Sequence, residues 1–132
     1  MYGAEIAIFE SMIEFKKLNH IQICIPKGKE EDARRFYTDI IGLKEIPKPK
    51  ELIPNGGLCY QLADIQFHIG TEDGINKSKR HPAFEVANID EARALLMKYN
   101  VPIKEEIQIP GQIRFSFQDP FGNRIELLQK IN

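Results

Sequence analysis

The chain has 132 residues, and its 18 basic and 19 acidic side chains give a formal net charge of −1. A length of this order predicts a single domain, and the balanced charge gives no reason to expect nucleic acid or an anionic membrane as a partner. No apolar run approaches the roughly 20 residues that a membrane helix needs, and residues 1–11 lack the basic start of a signal peptide. Because Cys24 and Cys59 are too few for a disulfide framework, we expect a reducing, cytoplasmic location.

The first half of the chain predicts a strand, a helix and three further strands. Isoleucines alternate with polar side chains in the first segment, which is typical of a strand with one buried face. An apolar stripe with the period of a helix follows, and Gly42 ends it. Three prolines then predict a loop, and two alternating segments predict a hairpin. The predicted ranges are 17–26 (strand), 29–41 (helix), 43–46 (strand), 47–57 (loop), and 58–62 and 65–69 (strands).

The second half repeats this order after a polar linker over residues 71–80. His81 is expected at the first position of the next strand, because Pro82 cannot donate a hydrogen bond to a neighbouring strand. Asn88 and Glu91 predict the N-cap and the third residue of a helix. A tight turn at 119–123, rich in turn-forming residues, leads into the last strand. The predicted ranges are 81–87 (strand), 89–99 (helix), and 103–107, 112–118 and 124–128 (strands).

Both halves therefore have the order βαβββ, and matching residues support a duplication. A period near 60 residues with two copies does not fit a solenoid. We predict an α+β fold of two tandem βαβββ modules, with cupped mixed sheets and the helices on their convex side. Module 1 spans 17–70 and module 2 spans 81–129 of a single domain over 17–129, and residues 1–16 form an N-terminal extension. Matching pairs are His20 and His81, Ala33 and Ala92, and Lys44 and Lys104.

The alternation places all three histidines of the chain, and one carboxylate within an apolar strand, on the concave faces of the predicted sheets. His20 matches His81 on the first strands, and His68 matches Glu126 on the last strands. Imidazole nitrogens together with a carboxylate suit Zn, Fe, Ni, Co or Mn. We therefore predict that His20, His68, His81 and Glu126 bind a divalent metal ion. The alternative is that each histidine is a hydrogen-bonded strand residue and that the carboxylate pairs with an arginine.

Three further polar side chains on the same faces, Gln22, Arg114 and Arg124, are predicted to bind the substrate. The arginines could hold a substrate carboxylate or phosphonate through a bidentate fork. A salt bridge to Glu85 or Glu126 is the alternative for either arginine.

Five motifs resemble the vicinal-oxygen-chelate superfamily, which includes glyoxalase I, extradiol ring-cleavage dioxygenases, fosfomycin-resistance thiol transferases and bleomycin-binding proteins. They are LNHIQI (18–23), FYTDIIGL (36–43), IQFHIG (65–70), HPAFEV (81–86) and DPFGNRIELL (119–128). The resemblance implies two modules cupped around a divalent metal with His20, His81 and Glu126 as ligands. It also implies a homodimer in which each site combines module 1 of one chain with module 2 of its partner. The substrate would chelate the metal through adjacent oxygens, and the metal would stabilise an oxyanion as a Lewis acid.

His68 departs from the pattern of glyoxalase I, which has a glutamate there as its proton-transfer base. Extradiol dioxygenases have an acid–base histidine in a similar place, which suits a catalytic role for His68. Two hypotheses follow. The first is a metal-dependent enzyme with glyoxalase-like lyase or isomerase chemistry, or dioxygenase-like chemistry, on a small substrate. The second is a non-catalytic, bleomycin-resistance-like protein that sequesters a small molecule. The retained ligand positions favour the enzyme.

Overall fold

The computed structural model describes residues 13–74 and 78–131. Residues 1–12 of the predicted N-terminal extension and 75–77 of the predicted linker lie outside the described residues. Eight strands and two main helices occur in the part of the chain that the structure describes. The strands are β1 (His20–Ile25), β2 (Lys44–Ile46), β3 (Leu58–Leu62), β4 (Ile65–Thr71), β5 (Ala83–Glu85), β6 (Ile103–Glu105), β7 (Gln112–Gln118) and β8 (Arg124–Lys130).

The strands form two four-stranded sheets with the same topology. The spatial order is β1-β4-β3-β2 in module 1 and β5-β8-β7-β6 in module 2. In each sheet the first strand runs parallel to the last strand of its module, and the other pairs are antiparallel. The predicted α+β fold of two tandem βαβββ modules is confirmed.

Each module has one main helix between its first and second strands. α1 (Glu30–Arg34) continues as a π-helical segment, Arg35–Ile40, and α2 spans Ile89–Lys98. The predicted cap of α2 is confirmed, because the side-chain oxygen of Asn88 accepts a hydrogen bond of 3.0 Å from the backbone N–H of Glu91. No helix among the described residues has the length and apolar character needed to cross a lipid bilayer.

Three predicted boundaries were wrong. The loop predicted over 47–57 contains a 3-10 helix, Lys50–Asn55. The hydrogen bonds at the two ends of this helix do not use the missing N–H of Pro54, so the proline does not prevent it. His81 precedes β5 rather than starting it, although the carbonyl of Pro82 still accepts a hydrogen bond of 3.0 Å from the Glu126 N–H. The strand predicted over 103–107 ends at Glu105.

The two modules share one hydrophobic core, built from the helix-side faces of both sheets. The rings of Phe67 and Phe84 lie 6.2 Å apart between centroids, and those of Phe36 and Phe117 lie 6.1 Å apart. The polar faces therefore lie on the sides of the sheets that face away from this core. We call them the module 1 polar face (His20, Gln22, Cys59, Gln61, Gln66 and His68) and the module 2 polar face (Ala83, Lys104, Arg114, Ser116, Arg124 and Glu126).

The turn before β8 joins the modules through buried hydrogen bonds. The Tyr37 hydroxyl of module 1 donates to Asp119 Oδ2 at 2.7 Å, and Asn123 Nδ2 donates to the Cys24 carbonyl oxygen at 2.9 Å. Asp119 also accepts from the backbone N–H of Asn123 at 2.8 Å. Burial raises the pKa of Tyr37 well above its ordinary value, and the charge of Asp119 adds to this effect, so the phenol stays protonated and donates. This network fixes the start of β8, and therefore Glu126, relative to module 1.

Candidate metal and substrate site

The module 1 polar face brings His20 and His68 together. β1 and β4 pair so that His20 lies beside Gln66, and Gln22 lies beside His68. The two imidazole rings stack with centroids 4.1 Å apart and planes 17° from parallel. Asn19 Oδ1 lies 2.8 Å from His20 Nδ1, and Gln66 Oε1 lies 2.9 Å from His68 Nε2.

These hydrogen bonds determine which nitrogen of each ring is free. An amide oxygen only accepts, so His20 donates from Nδ1 and His68 donates from Nε2. In the neutral rings the lone pair is therefore on Nε2 of His20 and on Nδ1 of His68. Burial lowers the pKa of His68 below its ordinary value, and the charges of His20 and Lys48 lower it further. The His68 ring is thus neutral at pH 7, and its Nδ1 can accept a proton.

The module 2 polar face brings His81 and Arg114 onto Glu126. The Glu126 side chain is only 7% exposed, since β8 lies in the middle of its sheet between β5 and β7. Arg114 Nη1 lies 3.1 Å from Glu126 Oε2, and His81 Nε2 lies 3.2 Å from Glu126 Oε1. A second hydrogen bond orients the His81 ring, because Nδ1 lies 2.8 Å from the carbonyl oxygen of Lys79.

A proton or a metal ion must lie between His81 Nε2 and Glu126 Oε1 if the two atoms are to stay in contact. The Lys79 carbonyl only accepts, so Nδ1 of His81 carries the hydrogen, and Nε2 of the neutral ring carries the lone pair. The lone pair and a carboxylate oxygen then face each other 3.2 Å apart. Two ligands that lie about 2.0–2.2 Å from one metal ion are roughly 2.8–3.6 Å from each other at octahedral or tetrahedral angles. The pair therefore fits a divalent metal as well as it fits a protonated imidazole, and the Nδ1–H bond to a carbonyl is typical of metal-bound histidine.

Within one chain the four predicted ligands form two separate pairs. Across residues 13–74 and 78–131, no group of three or more His, Cys, Asp or Glu side chains is placed so that it could hold a metal ion. The two pairs belong to different sheets, since β1 and β4 carry His20 and His68 whereas Glu126 lies on β8. Metal binding by His20, His68, His81 and Glu126 stays a prediction, and each pair needs further ligands.

The two arginines on the module 2 polar face have different partners. Arg114 forms a salt bridge to Glu126, and its Nε donates to a backbone carbonyl 2.8 Å away. Arg124 pairs with Glu106 instead, with 2.6 Å between Nη2 and Oε2. Glu106 had no role in the sequence analysis. Lys104 and Glu106 are two residues apart and so share a face of an extended chain, which is the signal that could have revealed this carboxylate.

Two of the three predicted substrate residues line the same cavity as His81. This cavity has a volume of about 530 Å³ and is lined by Gln22 and Arg124 together with His81, whereas Arg114 lies outside its lining. Cys24 also lines the cavity. Burial raises the pKa of its thiol, and the charge of Glu72 raises it further. The thiol is therefore protonated at neutral pH, which argues against a role as a nucleophile.

A family model described as the Glyoxalase/Bleomycin resistance protein/Dioxygenase superfamily matches residues 17–127. The chain belongs to this superfamily. The match confirms the resemblance found in the sequence motifs, and it spans both modules of this glyoxalase-superfamily protein.

Solved structures agree with this membership. A glyoxalase family protein from Bacillus anthracis is 41% identical, with a TM-score of 0.85 over 91% of this chain and 99% of the other. A lactoylglutathione lyase from Agrobacterium tumefaciens is 17% identical, with a TM-score of 0.67 over 86% of this chain and 92% of the other. A genomically encoded fosfomycin resistance protein from Listeria monocytogenes is 19% identical, with a TM-score of 0.70 over 89% of this chain and 96% of the other. The last two likenesses show the fold alone. No curated protein matches the chain.

Proposed function

We propose that this protein is a metal-dependent enzyme that acts on a small substrate with two adjacent oxygens. In this proposal each active site is divided between two chains of a homodimer. His81 and Glu126 of one chain bind the metal, and His20 of the partner chain completes the ligand set. His68 reaches the same site beside His20. The metal would be Zn, Fe, Ni, Co or Mn, the ions that imidazole and carboxylate ligands suit.

The observation that carries the proposal is the 3.2 Å approach of His81 Nε2 to Glu126 Oε1. Both atoms are electron-pair donors when the ring is neutral, and both belong to a half-buried or buried side chain. The lone pair of His20 is likewise on Nε2, because Nδ1 donates to Asn19. Two imidazole nitrogens with lone pairs and one carboxylate are a suitable set for a catalytic metal that retains open positions.

The side chains around these donors have separate roles in the proposed reaction. A metal held by His81, Glu126 and the partner's His20 would supply Lewis acidity that stabilises negative charge on a substrate oxygen. His68 accepts the proton removed next to that oxygen, at its free Nδ1, while Gln66 holds the ring through Nε2. Gln22 and Arg124, which line the cavity beside His81, orient the substrate. These roles are compatible with lyase, isomerase or dioxygenase chemistry, and the structure of the substrate would determine which reaction occurs.

A second candidate function is non-catalytic binding of a small molecule, and the salt bridge from Arg114 to Glu126 favours it. The arginine supplies the positive charge that a buried carboxylate needs, so the protein would be stable without a metal. In that case His81 would be an ordinary hydrogen-bonded residue of the module 2 polar face.

Metal content separates the two candidates. Purified protein should contain about one divalent metal ion per chain by elemental analysis, or should take up that amount from solution in a calorimetric titration. Glu126→Gln keeps the size of the side chain and should remove this binding, whereas Glu105→Gln, a change in the exposed ion pair with Arg93, should not. Wild-type protein that neither contains nor takes up a divalent metal would support the binding protein instead.

We also expect a reducing cytoplasmic location, which fits the free thiols of Cys24 and Cys59.

A further inference from the structure

A second cluster of charged residues lies beside Glu126 on the module 2 polar face. Ser116 is the direct neighbour of Glu126 on β7, and Lys104 is the direct neighbour of Ser116 on β6. Arg124 precedes Glu126 by two residues on β8, so both side chains point to the same side of the sheet. A cavity of about 420 Å³ is lined by Lys104, Ser116 and Arg124, together with Lys79.

The charge around this cavity is positive. Three cationic side chains, those of Lys79, Lys104 and Arg124, line it, and its lining among the described residues includes no carboxylate. Glu106 is bonded to two of the lining residues, since its Oε2 is 2.6 Å from Arg124 Nη2 and 2.6 Å from Ser116 Oγ. One carboxylate against three cations leaves two positive charges. A concave surface with this balance attracts an anion.

Only one nitrogen of the Arg124 guanidinium, Nη2, donates to the carboxylate of Glu106. A guanidinium commonly binds a carboxylate or phosphate through two parallel N–H bonds, whereas Glu106 accepts from Nη2 of Arg124. Nε of Arg124 is buried and has no hydrogen-bond partner among the described residues. A buried donor without a partner costs about as much as a lost hydrogen bond, so a small movement of Arg124 toward a two-oxygen anion would be favourable.

We infer that the cavity between Lys79, Lys104 and Arg124 binds the anionic group of a small substrate, and that Glu106 competes with this anion for Arg124. The anionic group is a carboxylate, a phosphate or a phosphonate, whose oxygens replace Glu106 on the guanidinium. Arg124 also lines the cavity that contains His81, so one side chain connects the anion with the proposed metal ligands. The link to the substrate rests on the proposed function, but binding of the anion itself requires no metal.

The strand geometry also limits the length of such a substrate. Residues two apart on a strand are separated by about 6.6–6.8 Å, which is the spacing of Arg124 and Glu126. The anionic group would then lie roughly 7 Å from the chelating oxygens, the span of about five covalent bonds in an extended chain. Short oxo or hydroxy acids with a second anionic group have these dimensions.

Module 1 supplies a matched control, because Lys44 on β2 corresponds to Lys104 on β6, whereas Gln66 on β4 stands where β8 has Arg124. Lys44 precedes Glu45, which pairs with Arg34, just as Lys104 precedes Glu105, which pairs with Arg93. Lys44 lies opposite Gln61, and the neighbouring positions of β4 are Gln66 and His68. This half of the duplication therefore has no arginine at the matching position, and Lys44 should contribute nothing to anion binding.

The test uses the full chain, freed of metal with EDTA and titrated calorimetrically at low salt with sodium phosphate and, separately, with sodium malonate. Wild-type protein should bind at least one of them at one site per chain. A preference for phosphate would indicate a phosphate or phosphonate group, and a preference for malonate a carboxylate. Arg124→Gln should weaken binding by about tenfold or more, because a charge-assisted hydrogen-bond pair is lost. Glu106→Gln should strengthen it several-fold, and Lys44→Gln should change it less than about twofold.

Circular dichroism and the melting temperature establish that each variant is folded. Binding that survives Arg124→Gln unchanged, or that weakens in folded Glu106→Gln, would overturn the inference. A wild-type protein that takes up a divalent metal but neither anion would refute this inference and leave the proposed function in place. Anion binding by a protein that takes up no metal would support this inference and refute the proposed function.

Discussion

Two different variants of a divided site should restore each other when they are mixed. In His20→Gln the module 1 half of the proposed site is damaged, and in Glu126→Gln the module 2 half is damaged. Each variant alone lacks a ligand in every site of its own homodimer. In a mixed dimer, module 1 of the Glu126→Gln chain meets module 2 of the His20→Gln chain, and this site has all of its ligands. The other site of the same dimer lacks both.

The expected recovery follows from the symmetry of the dimer. Random exchange of equal amounts gives mixed dimers as about half of all dimers, and each mixed dimer has one intact site out of two. About a quarter of all sites should therefore bind metal again. The two variants damage different halves of the site, because His20 and His68 stack on one face while His81 Nε2 lies 3.2 Å from Glu126 Oε1 on another.

The assay is metal bound per chain, measured by elemental analysis after the two variants are unfolded together, refolded and dialysed. The matched control mixes His81→Gln with Glu126→Gln, which damage the same half. Every mixed dimer of this control has two broken sites, so no recovery is expected. If the His20→Gln and Glu126→Gln mixture recovers no more than this control, the metal site does not combine the two faces of different chains. A wild-type chain that light scattering shows to be monomeric would refute the reasoning as well.

Three further predictions concern residues around the site. Tyr37→Phe should lower the free energy of unfolding by about 1–2 kcal/mol in urea denaturation, because Asp119 loses a buried donor, and Tyr99→Phe at the surface should have almost no effect. His68→Gln should weaken metal binding by no more than about tenfold, because the proposed ligands are His20, His81 and Glu126 and His68 acts as the proton acceptor; a loss as large as that in Glu126→Gln would make His68 a full ligand. The Ser116 hydroxyl, and then Arg124, lower the pKa of Glu106, so its stabilising contribution is present above the pKa of the unfolded chain and is lost as pH falls through the folded value. Wild type should therefore lose stability toward acid more steeply than Glu106→Gln, and equal slopes would contradict this.

The sequence contained enough information to predict the fold and the faces of the strands. The repeated order of segments predicted two βαβββ modules, because strand alternation and helical stripes occur at matching positions in both halves. The cap of α2 followed from Asn88 and Glu91 alone, since capping depends on residues three apart. Local periodicity therefore determined which side chains share a face, and His20 and His68 indeed stack on one of them.

The contacts between faces were beyond prediction from the sequence. Alternation assigns Arg124 to the polar face but does not choose between Glu106 and Glu126, because the choice depends on how the chain bends after β6. It also does not say which surfaces the modules use to pack on each other. The aromatic contact between Phe67 and Phe84 is part of this packing, and it joins residues from different halves of the chain. For the same reason the sequence could not exclude a single-chain site.

The charges on the module 2 polar face explain why metal and substrate should bind together. Arg114 neutralises Glu126, and Glu106 largely neutralises Arg124, so the face has little net charge apart from that of Lys104. A divalent ion placed between His81 and Glu126 would add two positive charges next to two arginines. Anionic substrate oxygens would balance this charge, and they would do so at the position where the ion has open coordination sites. In the proposed site, the arginine on Glu126 would then weaken metal binding in the absence of substrate and make metal binding depend more strongly on an anionic ligand.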